Sequence, residues 1–211
     1  MEKEKREIES RLVFDSAREI VIKLQSAEGV KAFKLRFPTD EEWERRARAR
    51  RIVIKQLGRG KSETIIPDSA EFDAAFVAAL SNGDDPEIDG YEATNILERI
   101  SEAEVDEVET ENGAFRIRLR VAGGVTTHVI AMPSARDMIK FRRAFAQVID
   151  LPFNQQSLTI NLAAAGELYQ RLCREREGYA DTVPIIHQAA VVKAAIDALE
   201  AGIGVAEPEN F

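Results

Sequence analysis

The chain is poor in the residues that build covalent and metal chemistry. One cysteine, Cys173, occurs in 211 residues, which excludes an internal disulfide framework and any multi-cysteine zinc centre. Its setting, ELYQRLCRERE, gives it the role of a small apolar residue. The two histidines are His128 and His187; both stand in apolar surroundings, where a half-buried or hydrogen-bonded ring is expected rather than a catalytic base. No run of eighteen apolar residues occurs, so no membrane-spanning helix is expected. The amino-terminal MEKEKREIESR lacks the apolar core of a secretory signal, and a cytoplasmic location is the resulting expectation. Surplus positive charge is missing too. The formal net charge is −8, which argues against a general nucleic-acid binder, because phosphate neutralisation needs an excess of lysine and arginine.

What is present fits a globular chain, with 45% hydrophobic and 31% charged residues. The length allows one medium domain or two small ones. An internal similarity suggests how it is organised. Residues 20–54 align without a gap on residues 115–149, at an offset of 95, with ten identities in 35 columns. Ile22 meets Ile117, Leu24 meets Leu119, Gly29 meets Gly124 and Pro38 meets Pro133. Arg48 and Ala49 meet Arg143 and Ala144, and Val53 and Ile54 meet Val148 and Ile149.

Each copy opens with period-two alternation around a glycine turn, the mark of a β-hairpin. Ile20, Ile22 and Leu24 precede AEGV; Phe33, Leu35 and Phe37 follow it. In the second copy Phe115, Ile117, Leu119 and Val121 alternate with Arg116, Arg118 and Arg120 before AGGV. One face of such a sheet is apolar and the other charged, as in an antiparallel sheet covered on one side. A proline and a hydroxyl residue follow each hairpin. Thr39 and Ser134 are expected as helix N-caps, with Glu42 and Asp137 at the capping-box position. The helices they start are expected to reach about Leu57 and Ile149. Two further helices follow in each copy, around PDSAEFDAAFVAALSNG and GYEATNILERISEAEVDEV, and around LAAAGELYQRLCREREG and PIIHQAAVVKAAIDALEAG. The expected fold class is α+β, as two tandem ββααα units over about residues 12–108 and 109–205. Residues 1–11 and 206–211 are expected to be flexible termini. The two hairpins could join in one four-stranded sheet, or leave edge strands open to other chains, including further copies of this one.

Candidate sites are few. LGRGKSET contains Gly60, Lys61 and Ser62, the last letters of a phosphate-binding loop, but position 55, where the first glycine belongs, is Lys55. The expected role of Gly58 is to end a helix in the left-handed conformation, with Arg59 and Lys61 near its negative end. The stronger feature is basic. Arg45, Arg46, Arg48, Arg50, Arg51, Lys55, Arg59 and Lys61 fall within seventeen residues that contain no acid. Such a run is either a solvated face or a docking surface for an acidic partner or for nucleic acid. The aligned copy has Met138, Phe141, Phe145 and Val148 where this one has Trp43, Arg46, Arg50 and Val53. With two phenylalanines replaced by arginine, the first helix is expected to turn Ala47 and Ile54 inward or to pack less deeply. Trp43 reads as a core or interface anchor.

Residues 84–111 carry twelve acids and one arginine, either pairing with the basic helix or lying solvated. DDPEIDGYEATN does not have the glycine spacing of a calcium loop. No serine–histidine–acid arrangement or metal-ligand spacing stands out, so no catalytic residue, metal or cofactor is expected.

The extended segment leading into LRFPTDEEW, followed by a charged helix, resembles short proteins encoded among phage and prophage tail-assembly genes, such as tail assembly chaperones and small structural components. The resemblance covers about residues 20–65. It implies a non-catalytic protein that holds or joins other phage proteins, in the cytoplasm or in the virion. The leading expectation from the residues is a protein–protein interaction or assembly module docking an acidic partner on Arg45–Lys61. The alternative is a nucleic-acid-associated regulator using the same helix.

Overall fold

The computed structural model describes residues 19–26, 29–58, 61–65, 68–81, 87–121, 124–153 and 155–202. Its elements are, in chain order, β1 (Glu19–Ser26), β2 (Gly29–Arg36), α1 (Asp40–Ala49), β3 (Ile52–Gly58), β4 (Lys61–Ile65), α2 (Ala70–Leu80), α3 (Gly90–Ser101) and β5 (Ala103–Glu111). There follow β6 (Ala114–Val121), β7 (Gly124–Ala131), α4 (Ala135–Phe145), β8 (Ala146–Leu151), β9 (Gln155–Ile160), α5 (Leu162–Leu172), α6 (Tyr179–Thr182) and α7 (Ile185–Glu200). The chain is a mixed helix and strand protein whose sheets are antiparallel.

Two compact units share the chain discontinuously. One takes Met1–Pro38 and Ser69–Ile100, the other Thr39–Asp68 and Ser101–Phe211.

In the first unit β1 and β2 form a hairpin in which Ile20 opposes Leu35 and Ile22 opposes Phe33. These four side chains are buried with Phe76, Val77 and Leu80 of α2 and with Ala93, Ile96, Leu97 and Ile100 of α3. Burying each of the Val, Leu, Ile and Phe side chains among them is worth about 1.5–3 kcal/mol. Ser81, just past α2, forms an isolated antiparallel bridge to Leu35. The start of α3 lies against the start of α2 so closely that a Cβ on Gly90 would sit 2.5 Å from Ala70 Cβ and 2.7 Å from its carbonyl carbon. Thr94 Oγ1 donates to the buried carboxylate of Asp73 at 2.9 Å, tying the two helices by a charge-assisted bond. Lys31 of β2 pairs with Glu92 of α3 at 2.9 Å.

The second unit holds two sheets. In the sheet ordered β5-β6-β7, the alternation of β6 separates its faces as the sequence pattern requires. Phe115, Ile117, Leu119 and Val121 are buried, packed with Leu168, Tyr169 and Leu172 of α5 and with Val191, Val192, Ala195 and Ile196 of α7. On the opposite face Arg120 pairs with Glu104 and Asp106 of β5 at 3.3 and 2.6 Å. Arg118 pairs with Glu107 at 3.1 Å, and Arg116 with Glu111 at 2.8 Å. The acids of β5, at the end of the acidic stretch, therefore meet the β6 arginines. Being exposed, these pairs are screened by solvent and add little to stability.

The second sheet, ordered β4-β3-β9-β8, corrects the sequence reading. The helices do not reach Leu57 and Ile149. α1 ends at Ala49 and α4 at Phe145, and each is followed by a hairpin. The reading of GYEATNILERISEAEVDEV as one helix is likewise too long, since α3 stops at Ser101 and β5 begins at Ala103. Ile52, Val53 and Ile54 form a β-branched run, and β-branched side chains favour a pleated strand over a helix interior. Gly58 belongs to the end of β3, opposite Lys61 across the hairpin turn, and caps no helix. Nor do the hairpins β1–β2 and β6–β7 share a sheet. It is the later hairpins, β3–β4 and β8–β9, that join, through β3 and β9.

Candidate protein interface

α1 is fixed at its start by two capping interactions. Glu42 N–H donates to Thr39 Oγ1 at 3.3 Å and Thr39 N–H donates to Glu42 Oε2 at 2.9 Å, a complete capping box. Asp40 reaches further and accepts the backbone N–H of Ile185, at the start of α7, at 3.1 Å. This places a carboxylate at the positive end of a sixteen-residue helix, where charge and dipole agree.

The helix so anchored carries only part of the basic run. Arg45, Arg46 and Arg48 belong to α1, Arg50 is its C-cap and Arg51 links it to β3. Lys55 lies on β3 and Lys61 on β4, while Arg59 lies outside the described residues. The basic run is thus a helix, a link and two strands, not one helical face. Within it Arg46 is buried, at 6% exposure, with its guanidinium 5.9 Å from the centroid of the Trp43 ring. Sequence reasoning expected arginine at this position to rotate α1 or lift it away. Instead Arg46 stays buried on α1 with its flat cation beside Trp43, and Phe141, which aligns with it in sequence, is buried on α4. Ile54, expected on the inward side of that helix, belongs to β3. Trp43 is a core residue, at 2% exposure. Arg48 is exposed and pairs with Glu44 one turn back at 2.9 Å.

A groove of about 460 Å³ separates α1 from the second sheet. Arg48 and Arg51 line one side; Gln147 and Ile149 of β8 and Thr159 of β9 line another. Opposed residues in an antiparallel sheet share a face, so the register of Gln147 with Thr159 and of Ile149 with Ser157 defines the α1 side. The register of Ile52 with Leu158, and of Leu158 with Val148, defines the other. Val148 is 60% exposed, Ile149 52% and Phe153, in the turn after β8, 89%. Leu57, Ile65 and Ile160 are exposed as well. The sheet thus presents apolar side chains on both faces, with arginines along one. Sequence reasoning missed this surface because it read both hairpins as helix ends. The signal was there in the β-branched runs flanking Gly58–Lys61 and Pro152–Asn154.

The histidines stand elsewhere in this unit. His128 is buried, its Nδ1 2.9 Å from Tyr169 Oη and its Nε2 2.9 Å from Thr126 Oγ1. Tyr179 packs beside it and donates to the carbonyl of Thr127 at 3.1 Å. Burial holds the His128 imidazole down to about 4. Burial, with His128 nearby, holds His187 down to about 4 as well. Both rings are neutral core groups at physiological pH. Among the described residues there is no cluster of three or more His, Cys, Asp or Glu arranged to hold a metal ion, and no helix is long and apolar enough to cross a membrane. Comparisons with protein-family models, with curated proteins and with solved structures each give no match.

Proposed function

We propose that the protein is a non-catalytic interaction module, built from a duplicated unit, that joins other proteins through the four-stranded sheet and the arginines beside it. The observation that carries this reading is the exposed apolar pair Val148 and Ile149 on an edge strand, with Ile149 in the groove that Arg48 and Arg51 line. Exposed apolar side chains on a strand that ends a sheet are a liability for a protein that works alone, and a contact surface for one that does not. The tail-assembly resemblance points to the same class of work, with a phage or prophage protein as the partner and the virion as one destination. The two buried histidines serve the core, which leaves no acid–base group of that kind in the groove.

The repeating unit is a hairpin, a helix, a second hairpin and two main helices. In support, β6 and β7 begin and end 95 residues after β1 and β2. Gly29 and Gly124 take φ of 131° and 152° at matching turns, where a side chain would be strained. Thr39 and Ser134 make the same capping box. Leu35 with Ser81, and Ile130 with Cys173, make isolated bridges at matching places. The copies keep their apolar pattern and differ in charge, which gives one scaffold distinct contact surfaces.

The test is recovery of the tagged protein from its native source, beside a variant carrying Val148→Asp and Ile149→Asp. The reading requires a protein that is held in fixed ratio by the wild type and lost from a folded variant. Binding of duplex DNA at low salt, lost on Arg48→Glu with Arg51→Glu, would replace it with the nucleic-acid alternative. Identical protein recoveries from wild type and variant would remove the sheet from the account.

A further inference from the structure

The strands that end the two sheets of the second unit are not alike. β4 carries Lys61 and Glu63 in an exposed strand. β5 carries Glu104, Asp106, Glu107, Glu109 and Glu111. Charges of this kind keep a sheet edge from pairing with foreign strands. The open side of β7 is covered in part by its own chain, since Ile130 bridges Cys173 and the Val129 carbonyl accepts the Arg174 N–H at 2.8 Å. β8, Ala146–Leu151, has no lysine, arginine, proline or glycine, and five of its six residues are exposed. Its one charge, Asp150, accepts a hydrogen bond from Gln156 of the neighbouring strand at 3.1 Å.

We infer that β8 accepts an extended segment of a partner protein as a fifth strand, and that this segment alternates acidic and apolar side chains. The inference rests on the interaction reading above and supplies its binding mode. Backbone N–H and C=O groups on the open side of β8 provide the ladder. Side chains of the incoming strand opposite Gln147 and Ile149 point to the α1 side, into the groove that Arg48 and Arg51 line. Arg48 is already neutralised by Glu44. Arg51 is exposed and has no acid within ion-pair distance among the described residues, so an acidic side chain is the complement at that position. The residue opposite Val148 points to the other face, beside the apolar row of Val148, Leu158 and Ile52, and is apolar for the same reason. Charge on one side and apolar contact on the other thus set the register as well as the composition of the partner strand.

The probe is a fluorescein-labelled octapeptide of alternating glutamate and valine, titrated with the full chain and followed by anisotropy. Two control peptides are used, one alternating lysine and valine, the other the glutamate peptide N-methylated at alternate residues so that it cannot form a ladder. Saturable binding of the first peptide is expected, at least tenfold weaker for either control and at least tenfold weaker with Arg51→Glu or Val148→Asp. Both positions are exposed, and far-ultraviolet circular dichroism verifies that the variants fold. Equal binding of the N-methylated peptide would overturn strand addition, and equal binding to the Arg51→Glu variant would overturn the charge match. A wild-type dimer that Val148→Asp dissociates would put a second copy on this edge and also overturn the inference. Should no peptide bind while the native source still yields a partner dependent on Val148 and Ile149, strand addition fails and the interaction reading stands.

Discussion

The Arg46 guanidinium lies 5.9 Å from the centroid of the Trp43 ring, and both residues are buried in the inward row of α1. An arginine from a basic run is thereby part of the core. Arg46→Glu is expected to cost about 3–5 kcal/mol, because it places an unmatched carboxylate where a cation was buried. Arg48→Glu or Arg51→Glu, at exposed positions, is expected to stay within about 0.5 kcal/mol of wild type. Urea melts of the three variants decide this, and equal midpoints for Arg46→Glu and Arg51→Glu would contradict the packing described.

Gly90→Ala reverses a common expectation. In a helix, glycine to alanine usually stabilises by about 1 kcal/mol. Here the added Cβ would meet the backbone of Ala70 at 2.7 Å, and main chain cannot move aside as a flexible side-chain tip can. The variant is expected to lose about 1–3 kcal/mol, read as a lower urea midpoint. A gain in stability would show that α2 and α3 do not approach so closely.

Acid is expected to destabilise the second unit through its histidines. His128 and His187 titrate near 4 when folded, against about 6.5 in an unfolded chain. The unfolded state then binds more protons between those values. The stability from the neutral rings is complete above pH 6.5 and is lost as pH falls towards 4, by up to roughly 3 kcal/mol per ring. His187 Nε2 has no hydrogen-bond partner among the described residues, so His187→Leu should leave neutral-pH stability nearly unchanged. That variant should flatten the dependence between pH 6.5 and 4 by about half; an unchanged slope would place the ring in water.

Thr39→Ala and Ser134→Ala are expected to cost similar amounts, about 1 kcal/mol each, because each hydroxyl accepts the same N3 backbone N–H. Their effects should add, since the boxes share no partner. A cost at one position and none at the other, measured by denaturant melts, would argue against equivalent capping of α1 and α4.

Those capping boxes were readable from the sequence, because Thr39 with Glu42 and Ser134 with Asp137 act over three residues and depend on little else. The hairpins β1–β2 and β6–β7 were readable for a similar reason, as alternation around Gly29 and Gly124 reports a half-covered sheet directly. The later hairpins, β3–β4 and β8–β9, were not. Val148 and Ile149 are both exposed on an edge strand, so no inside and outside alternation marks them, and their spacing from Phe141 and Phe145 mimics a helical stripe. Arg46 misled for a related reason, since a charged residue in an apolar row reads as exposure unless its packing on Trp43 is known. The acid run 84–111 was recognised as a charge block, but the pairing of its β5 acids with Arg116, Arg118 and Arg120 depends on a strand register that composition does not carry.

The most direct measurement is photo-crosslinking in the native source, with a photoreactive residue placed at Val148 in one variant and at Glu104 in another. Both positions are exposed strand residues. The account expects a discrete protein adduct at 148 that disappears when Arg51→Glu is added, and none at 104. Adducts of equal yield at both positions, or none at 148 from folded protein, would contradict it.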